Sequence, residues 1–186
     1  MSFSDRTVNM METFDFGGGP VPALRHRNPD GSLGGWVADT ATVAKTAYVG
    51  PDARVFGTAV MADNAMALDN AQVSGAAAMY ENAKISGNAQ MFDFSMMYGN
   101  AKLMDNAALR DGAMIFDYAE VRGNALLSGH SRARNKAIVQ DRAMLHDSAE
   151  VRDNAVIGGD AIIIGREVIN GDSEIIGPRS NLQIER

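Results

Sequence analysis

The sequence predicts an all-β protein, a triangular solenoid of parallel β-strands, and three observations support that prediction. The 186 residues carry a strict six-residue period. Small and aliphatic side chains occupy two fixed places in the period, and turn-forming residues occupy two others. Hydrophobic residues make up 46% of the chain but aromatic residues only 6%, so the core consists mainly of small and aliphatic side chains. Such a core suits a narrow, repetitive coil better than a broad globule.

The six-residue period begins at Ala41 and runs without insertion to Ser173. Ala or Ser opens 22 of the 23 repeats, Glu167 being the exception, and an aliphatic residue, Met or Ala follows two places later. An α-helix is excluded, because a six-residue step at about 100° per residue would spread the small residues over three directions. In a strand the two places face the same side, so each repeat predicts a short strand with two inward residues.

The last two places of each repeat hold turn-forming residues. Representative pairs are Asp63-Asn64, Gly87-Asn88 and Gly123-Asn124. Gly and Asn tolerate positive φ, and Asp or Asn side chains bond the neighbouring backbone, so these pairs predict a corner after each strand. Three strands form one triangular coil of about 18 residues. The repeats therefore predict about seven to eight coils, roughly 35 Å in height at about 4.8 Å per coil.

The repeat from Ala41 to Gly177 resembles that of the hexapeptide-repeat proteins, in which an aliphatic residue precedes a small one by four places, as in Val43 and Ala47. The resemblance implies a left-handed parallel β-helix, usually a homotrimer, in a family that includes acyltransferases and gamma-class carbonic anhydrases. The Gly87-Asn88-Ala89 form of the repeat is similar to uncharacterised enterobacterial acetyltransferase-like proteins and to phage and prophage proteins. The resemblance indicates the fold, whereas function has to be argued from sites.

Residues 1–34 precede the repeat and predict a short irregular N-terminal arm or cap, because they contain Gly17-Gly18-Gly19 and further turn signals. As a cap, this segment would pack Phe14 and Phe16 over the first coil and cover an open strand edge. The alternative is an arm that docks on another subunit or a larger assembly.

The remaining boundaries follow from where the repeat starts and stops. The β-helix is predicted over residues 35–178, and residues 179–186 form a short polar tail. Pro178 is expected to end the ladder of strands, because proline cannot donate a backbone hydrogen bond.

One outward face of the solenoid is predicted to be an interface. Residues 18 apart stack on the same face, which places Tyr80, Tyr98 and Phe116 in an aromatic ladder with a basic end beyond it. Contiguous exposed apolar area usually marks a contact surface. We expect a homotrimer seam here, or alternatively a docking surface for a larger assembly. The interface residues are Val60, Tyr80, Met96, Tyr98, Met114 and Phe116.

Two of the three His residues, His130 and His146, are the alternative candidates for catalysis. An acyltransferase of the resembled family is expected to use a His as general base. A nearby basic group is an anion-binding candidate that suits the phosphates of a coenzyme A thioester. The unbroken repeat argues against catalysis, because it leaves no loop to form a pocket wall, so neither a catalytic residue nor a cofactor is assigned. The anion-binding candidates are Arg132, Arg134, Lys136 and Arg142.

No metal site is predicted. A carbonic-anhydrase-like site needs about three His, and the repeat contains two. Asp residues at the corners have the chemistry of Ca²⁺ ligands, but the favoured interpretation is that they accept hydrogen bonds from backbone N–H groups. They are Asp63, Asp69, Asp105, Asp111, Asp117, Asp141, Asp147 and Asp153.

Composition sets the remaining expectations. A net charge of −6 argues against nucleic acid as a partner, and the lack of Cys excludes disulfides. No apolar run approaches 18 residues and no signal sequence is evident, which predicts no membrane contact and a cytoplasmic location, or the virion if the protein is phage-encoded. The sequence therefore favours a non-catalytic structural or docking rod, with an acyl-coenzyme-A-dependent O- or N-acyltransferase as the alternative.

Overall fold

The protein is a triangular parallel β-solenoid of eight coils, which confirms the predicted fold class. The structure, a computed structural model, describes residues 12–177, and these residues contain β-strands and no helix. Each coil contributes one strand to each of three sheets. The coil count reaches the upper end of the prediction because Leu33–Ala38 supplies a strand before the repeat that starts at Ala41. Pro178 and the tail 179–186 lie outside the described residues.

The three sheets, named A, B and C, run along the length of the solenoid. Sheet A contains β1 (Glu12–Asp15), β2 (Pro20–Arg27), β3 (Leu33–Ala38), β6 (Arg54–Val55), β9 (Gln72–Val73), β12 (Gln90–Met91), β15 (Ala108–Leu109), β18 (Leu126–Leu127), β21 (Met144–Leu145) and β24 (Ile162–Ile163). Sheet B contains β4 (Thr42–Val43), β7 (Val60–Met61), β10 (Ala78–Met79), β13 (Met96–Met97), β16 (Met114–Ile115), β19 (Arg132–Ala133), β22 (Glu150–Val151) and β25 (Val168–Ile169). Sheet C contains β5 (Tyr48–Val49), β8 (Met66–Ala67), β11 (Lys84–Ile85), β14 (Lys102–Leu103), β17 (Glu120–Val121), β20 (Ile138–Val139), β23 (Val156–Gly159) and β26 (Glu174–Gly177). Coil 1 is β3, β4 and β5, and the following coils take the next three strands each, up to coil 8.

A single hydrogen-bond register joins the coils. The backbone N–H of a residue donates to the carbonyl of the residue 17 places later, as from Val60 to Ala77 at 2.9 Å. The same spacing recurs from Thr42 to Asp160. Strands 18 residues apart are therefore paired in register, and every side chain has a fixed neighbour one coil above and one below.

The core consists of the two inward positions predicted from the repeat. The small residues and the aliphatic residues two places later are buried throughout the central coils. Met61, Met79 and Met97 stack in successive coils on the inner side of sheet B, where their flexible side chains fill the space beside smaller neighbours. Ser95 and Ser131 occupy the small position, are completely buried, and have no hydrogen-bond partner for Oγ among residues 12–177.

The corner residues hold the turns in a conformation that few side chains adopt. The eight predicted corner Asp residues have φ between 55° and 63°, and each accepts a hydrogen bond through Oδ2 from a backbone N–H one coil further on. Asp93 does the same at another corner, with φ 59° and the Asp111 N–H as donor. Asp153, for example, accepts from Gly171 at 3.1 Å, and that bond lowers the pKa of Asp153, assisted by Asn135. The interpretation that these carboxylates cap backbone N–H groups is confirmed.

The N-terminal segment forms an antiparallel hairpin against the outer side of sheet A. Strand β1 pairs with β2, and β2 pairs with β3 of coil 1. The ring of Phe14 stacks on Trp36 with centroids 4.8 Å apart, and the ring of Phe16 stacks on Phe56 at 4.9 Å. Within residues 12–34 the expected irregular arm is thus ordered into strands, because alternating side chains such as Leu24 pair with the first coil.

Two side chains close the first strand edge of sheet C. The Asn28 side chain donates from Nδ2 to the Val49 carbonyl at 3.2 Å and accepts through Oδ1 from the Val49 N–H at 2.9 Å. The His26 Nε2 lies 3.0 Å from the Ala47 carbonyl. Because an open strand edge recruits other strands, these contacts shield β5 from uncontrolled pairing.

We expect Asn28→Ala to destabilise the solenoid, because it leaves the N–H and carbonyl of buried Val49 unpaired. Each unsatisfied group costs about 1–3 kcal/mol. Thermal unfolding followed by circular dichroism should show a lower Tm, accompanied by aggregation through the exposed edge. The control is Asn64→Ala, an exposed position whose side chain donates to Asn82 at 3.5 Å. Equal Tm values for the two variants would contradict the assigned role of Asn28.

We expect Ser95→Ala to stabilise the protein, because it removes a buried hydroxyl that has no partner among the described residues. The gain should be about 1 kcal/mol, or roughly 2–4 °C in Tm for a chain of this length. Ser74→Ala is the control, since its half-buried Oγ donates to the Met91 carbonyl at 3.4 Å and its loss brings no gain. A lower Tm for Ser95→Ala would show that its hydroxyl is satisfied in solution.

Candidate functional site

The outward side of sheet B carries a continuous apolar surface over coils 2 to 5. Strands β7, β10, β13 and β16 pair in register, so their first residues form one vertical row and the residues two places later form a second. None of these side chains is charged. We call this surface the sheet B face; its two rows are Val60, Ala78, Met96 and Met114, and Ala62, Tyr80, Tyr98 and Phe116.

The aromatic residues of the sheet B face are held by stacking. The rings of Tyr98 and Phe116 are nearly parallel, at 8°, with centroids 4.8 Å apart. Burial raises the pKa of Tyr98, and the nearby Asp117 carboxylate acts in the same direction, so the phenol is neutral over the physiological range. Tyr80 lies one coil below Tyr98 and is also half-buried. The face is therefore uncharged, and its two largest rings support each other.

Two exposed aromatic side chains flank the sheet B face at opposite corners. Phe94 is 72% exposed at the corner between sheets A and B, and Tyr118 is 62% exposed at the corner between sheets B and C. Neither residue was predicted from the sequence to belong to a site, because both occupy corner positions, where the repeat often places Asn, Thr or another small polar residue. That departure from the repeat is the signal that identifies them. A phenyl ring so exposed in solution gains free energy from being covered.

We call the coil 8 end of the solenoid the upper end. Beyond the sheet B face, in coils 6 and 7, sheet B is charged, and its charges are partly paired. The Arg134 guanidinium lies 2.8 Å from a carboxylate oxygen of Glu150, and the Arg152 guanidinium lies 3.8 Å from the same oxygen. Arg132 is exposed on β19, two residues before Arg134. Among residues 12–177, Arg132 has no carboxylate oxygen within 4 Å, so it leaves a net positive charge just above the sheet B face.

The structure does not bring the four anion-binding candidates together. Arg132 and Arg134 lie on sheet B, and Lys136 lies at the corner between sheets B and C. Arg142 lies one strand further, at the corner between sheets C and A, where it forms a two-point ion pair with Asp160 at 2.7 and 2.8 Å. Arg134 and Arg142 are thus engaged with carboxylates, on different sides of the solenoid.

The two candidate catalytic His residues lie in consecutive coils on the side of sheet A. His146 Nδ1 is 2.6 Å from Oγ of Ser128, a residue that is only 4% exposed. His130 follows Ser128 by two residues and is exposed at the corner, close above Gly112. The Ser128–His146 pair resembles the contact of a nucleophile with its base, but the serine is buried.

No group of three or more His, Asp or Glu side chains within residues 12–177 is arranged to hold a metal ion. The corner carboxylates are occupied instead by backbone N–H groups. In the part of the chain that the structure describes, no segment forms a helix suited to crossing a bilayer.

A cavity of about 380 Å³ lies between the N-terminal hairpin and coils 1 and 2, at the corner that joins sheets A and B. Phe16 and Phe56 contribute aromatic walls, and Asp39 and Thr40 lie at its polar side. The lining of this cavity is mainly apolar, and the cavity lies beside the end of the sheet B face at coil 2.

Comparison with known proteins gives no identification. No family model, no curated protein and no solved structure matches this chain. Membership of the hexapeptide-repeat family, the left-handed sense of the coil and the trimer therefore stay predictions from the repeat.

Proposed function

We propose that this protein is a non-catalytic structural or docking module, a rigid rod that binds its partner subunits through the sheet B face. The observation that carries the proposal is the uncharged face over coils 2 to 5, flanked by the exposed rings of Phe94 and Tyr118. Contiguous apolar surface of this kind marks a contact site, and the core of an interface combines Tyr, Phe and Met in the same way.

Rigidity supports the same proposal. Outward side chains are fixed at about 4.8 Å intervals by the ladder between coils, so little side-chain or backbone entropy is lost when the face is covered. From Thr42 to Glu174 a strand begins every six residues, and no loop interrupts the solenoid to form a pocket. A surface of this kind is better suited to binding a partner of complementary shape than to catalysis.

The family resemblance supports a proposal for how the module assembles and where it acts. It supports a left-handed hexapeptide-repeat β-helix that associates with copies of itself, usually three in the resembled family, and its phage and prophage members support a structural or decoration role, in the cytoplasm or in the virion. The N-terminal hairpin, joined to the first coil through the rings of Phe14 and Trp36, is a second surface through which the rod can dock on a larger assembly.

The acyl-coenzyme-A-dependent transferase remains the alternative proposal. The Ser128–His146 contact at 2.6 Å favours it, since a His paired in this way can act as a base. The dispersal of Arg132, Lys136 and Arg142 over different sides of the solenoid weakens it, because a phosphate clamp requires converging cations.

We expect Tyr98→Asp to break the assembly, because it places an unpaired carboxylate in the middle of the sheet B face. Multi-angle light scattering should show a homo-oligomer for the unchanged chain, and at least about 100-fold weaker association for the variant. Gln90→Asp, an exposed position on sheet A of the same coil, is the control and should retain the assembly. An unchanged mass for Tyr98→Asp would remove the sheet B face from the interface.

We expect no saturable binding of coenzyme A or acetyl-coenzyme A by isothermal titration calorimetry. His130→Ala and His146→Ala should leave the mass of the assembly unaltered, since neither residue lies on the sheet B face. Saturable binding that His146→Ala abolishes would favour the transferase and overturn the non-catalytic proposal.

A further inference from the structure

We propose that the partner on the sheet B face is a second copy of this chain, related by a two-fold axis and running antiparallel. This inference rests on the proposed function, because it takes the sheet B face as the contact surface. The axis would lie in the interface, between coils 3 and 4, so that coil 4 of one copy faces coil 3 of the other and coil 5 faces coil 2.

The side chains of the sheet B face increase in size from coil 2 to coil 5. Coil 2 presents Val60 and Ala62, whereas coil 5 presents Met114 and Phe116. The face is therefore thin at the lower end and thick at the upper end. Two such wedges leave an evenly spaced interface only when they run in opposite directions, and even spacing is what close packing requires.

The antiparallel register places large side chains on small ones. Phe116 of one copy faces Ala62 of the other, and Met96 faces Ala78. A two-fold axis parallel to the rod would instead set the bulky coil 5 against itself and the thin coil 2 against itself. That arrangement leaves a gap at one end, and a gap forfeits dispersion contacts.

Phe94 at the corner between sheets A and B fits the same register. In the antiparallel arrangement each corner meets the equivalent corner of the other copy with the height reversed. Phe94 of coil 4 then faces Gly75 and Ala76 of coil 3, which are the small residues at that corner. The ring that is 72% exposed in one chain thereby gains a surface with room to receive it.

The charges at the ends of the sheet B face also favour opposite directions. In this register the exposed Arg132 of coil 6 faces the region of Thr42 and the exposed Asp39 in coil 1 of the other copy. Parallel rods would bring the two Arg132 side chains to the same level and set like charges together.

The other sheets do not offer an equivalent partner surface. A cyclic trimer of parallel rods packs the sheet B face against a different surface of the next copy at the same height. At that height sheet A presents Arg54, Gln72 and Gln90, and sheet C presents Lys84 and Lys102. Covering charged and amide groups with an apolar face costs free energy, so the sheet B face matches itself better than it matches either neighbour.

The area is sufficient for a specific dimer. Coils 1 to 6 span about 29 Å, and one side of the triangle, six residues long, spans about 20 Å. The contact is then about 600 Å² on each copy and about 1,200 Å² in total, which reaches the range of specific interfaces.

Disulfide trapping tests the register directly, because the chain contains no Cys. The double variant Val60→Cys/Met114→Cys places a Cys in coil 2 opposite a Cys in coil 5 of the other copy. The two positions are three coils apart in one chain, about 14 Å, and too distant for a disulfide within it. After mild oxidation, most of the protein should run as a dimer on a non-reducing gel, whereas each single variant should stay at the monomer position.

The control is Val60→Cys/Lys102→Cys, which moves the second Cys to the charged sheet C and should not cross-link. Light scattering on the reduced variants separates the possible failures. An assembly of unchanged mass that forms no disulfide, or a trimer, would overturn the antiparallel dimer and leave the proposed contact surface standing. A monomer at all concentrations would overturn both proposals.

Discussion

The hydrogen-bond register between coils is the constraint on which the rest of the molecule depends. Alternate N–H groups along the coils donate to a carbonyl 17 residues later. The place of a residue in the sequence therefore determines its place on the surface of the solenoid. An insertion of one residue would shift all later side chains to new faces and turn inward positions outward. The absence of any such shift between Thr42 and Glu174 is what keeps the core columns, the corner carboxylates and the sheet B face continuous.

Each part of the repeat serves this register in a different way. Buried small and aliphatic residues supply the hydrophobic stabilisation, while the corners solve a backbone problem. Asp at φ near 60° is strained relative to ordinary conformations, but its carboxylate satisfies an N–H one coil away and thereby links neighbouring corners. Gly57 and Gly75 occupy equivalent corners in neighbouring coils and have no side chain to form that bond. Their backbones pack closely, because a Cβ on Gly57 would lie 2.7 Å from the Gly75 carbonyl oxygen.

The period of the sequence was sufficient to predict the solenoid, its three faces and the role of the corner Asp residues, because all of these follow from six-residue and 18-residue spacing. Features outside the period were not predictable in the same way. The pairing of Asn28 with Val49 joins residues in non-repeating and repeating segments, and no spacing rule encodes it. The Arg134–Glu150 pair is diagonal between neighbouring coils, 16 residues apart, so the 18-residue spacing does not predict it. The Arg142–Asp160 pair joins residues 18 apart and follows the spacing, although it was not predicted. Phe94 and Tyr118 depart from the repeat, and only the structure shows that they are exposed on either side of the sheet B face.

The central claim is that copies of this rod associate side by side through sheet B. Small-angle X-ray scattering on the unchanged chain tests it most directly, because it measures mass and greatest length in one experiment. The account predicts about twice the 19.8 kDa of one chain. It also predicts a particle about ten coils long, roughly 48 Å plus the N-terminal hairpins, because the register leaves coils 7 and 8 of each copy beyond the end of the other. A doubled length at doubled mass would mean end-to-end stacking and would contradict the account, as would a mass of 19.8 kDa at every concentration.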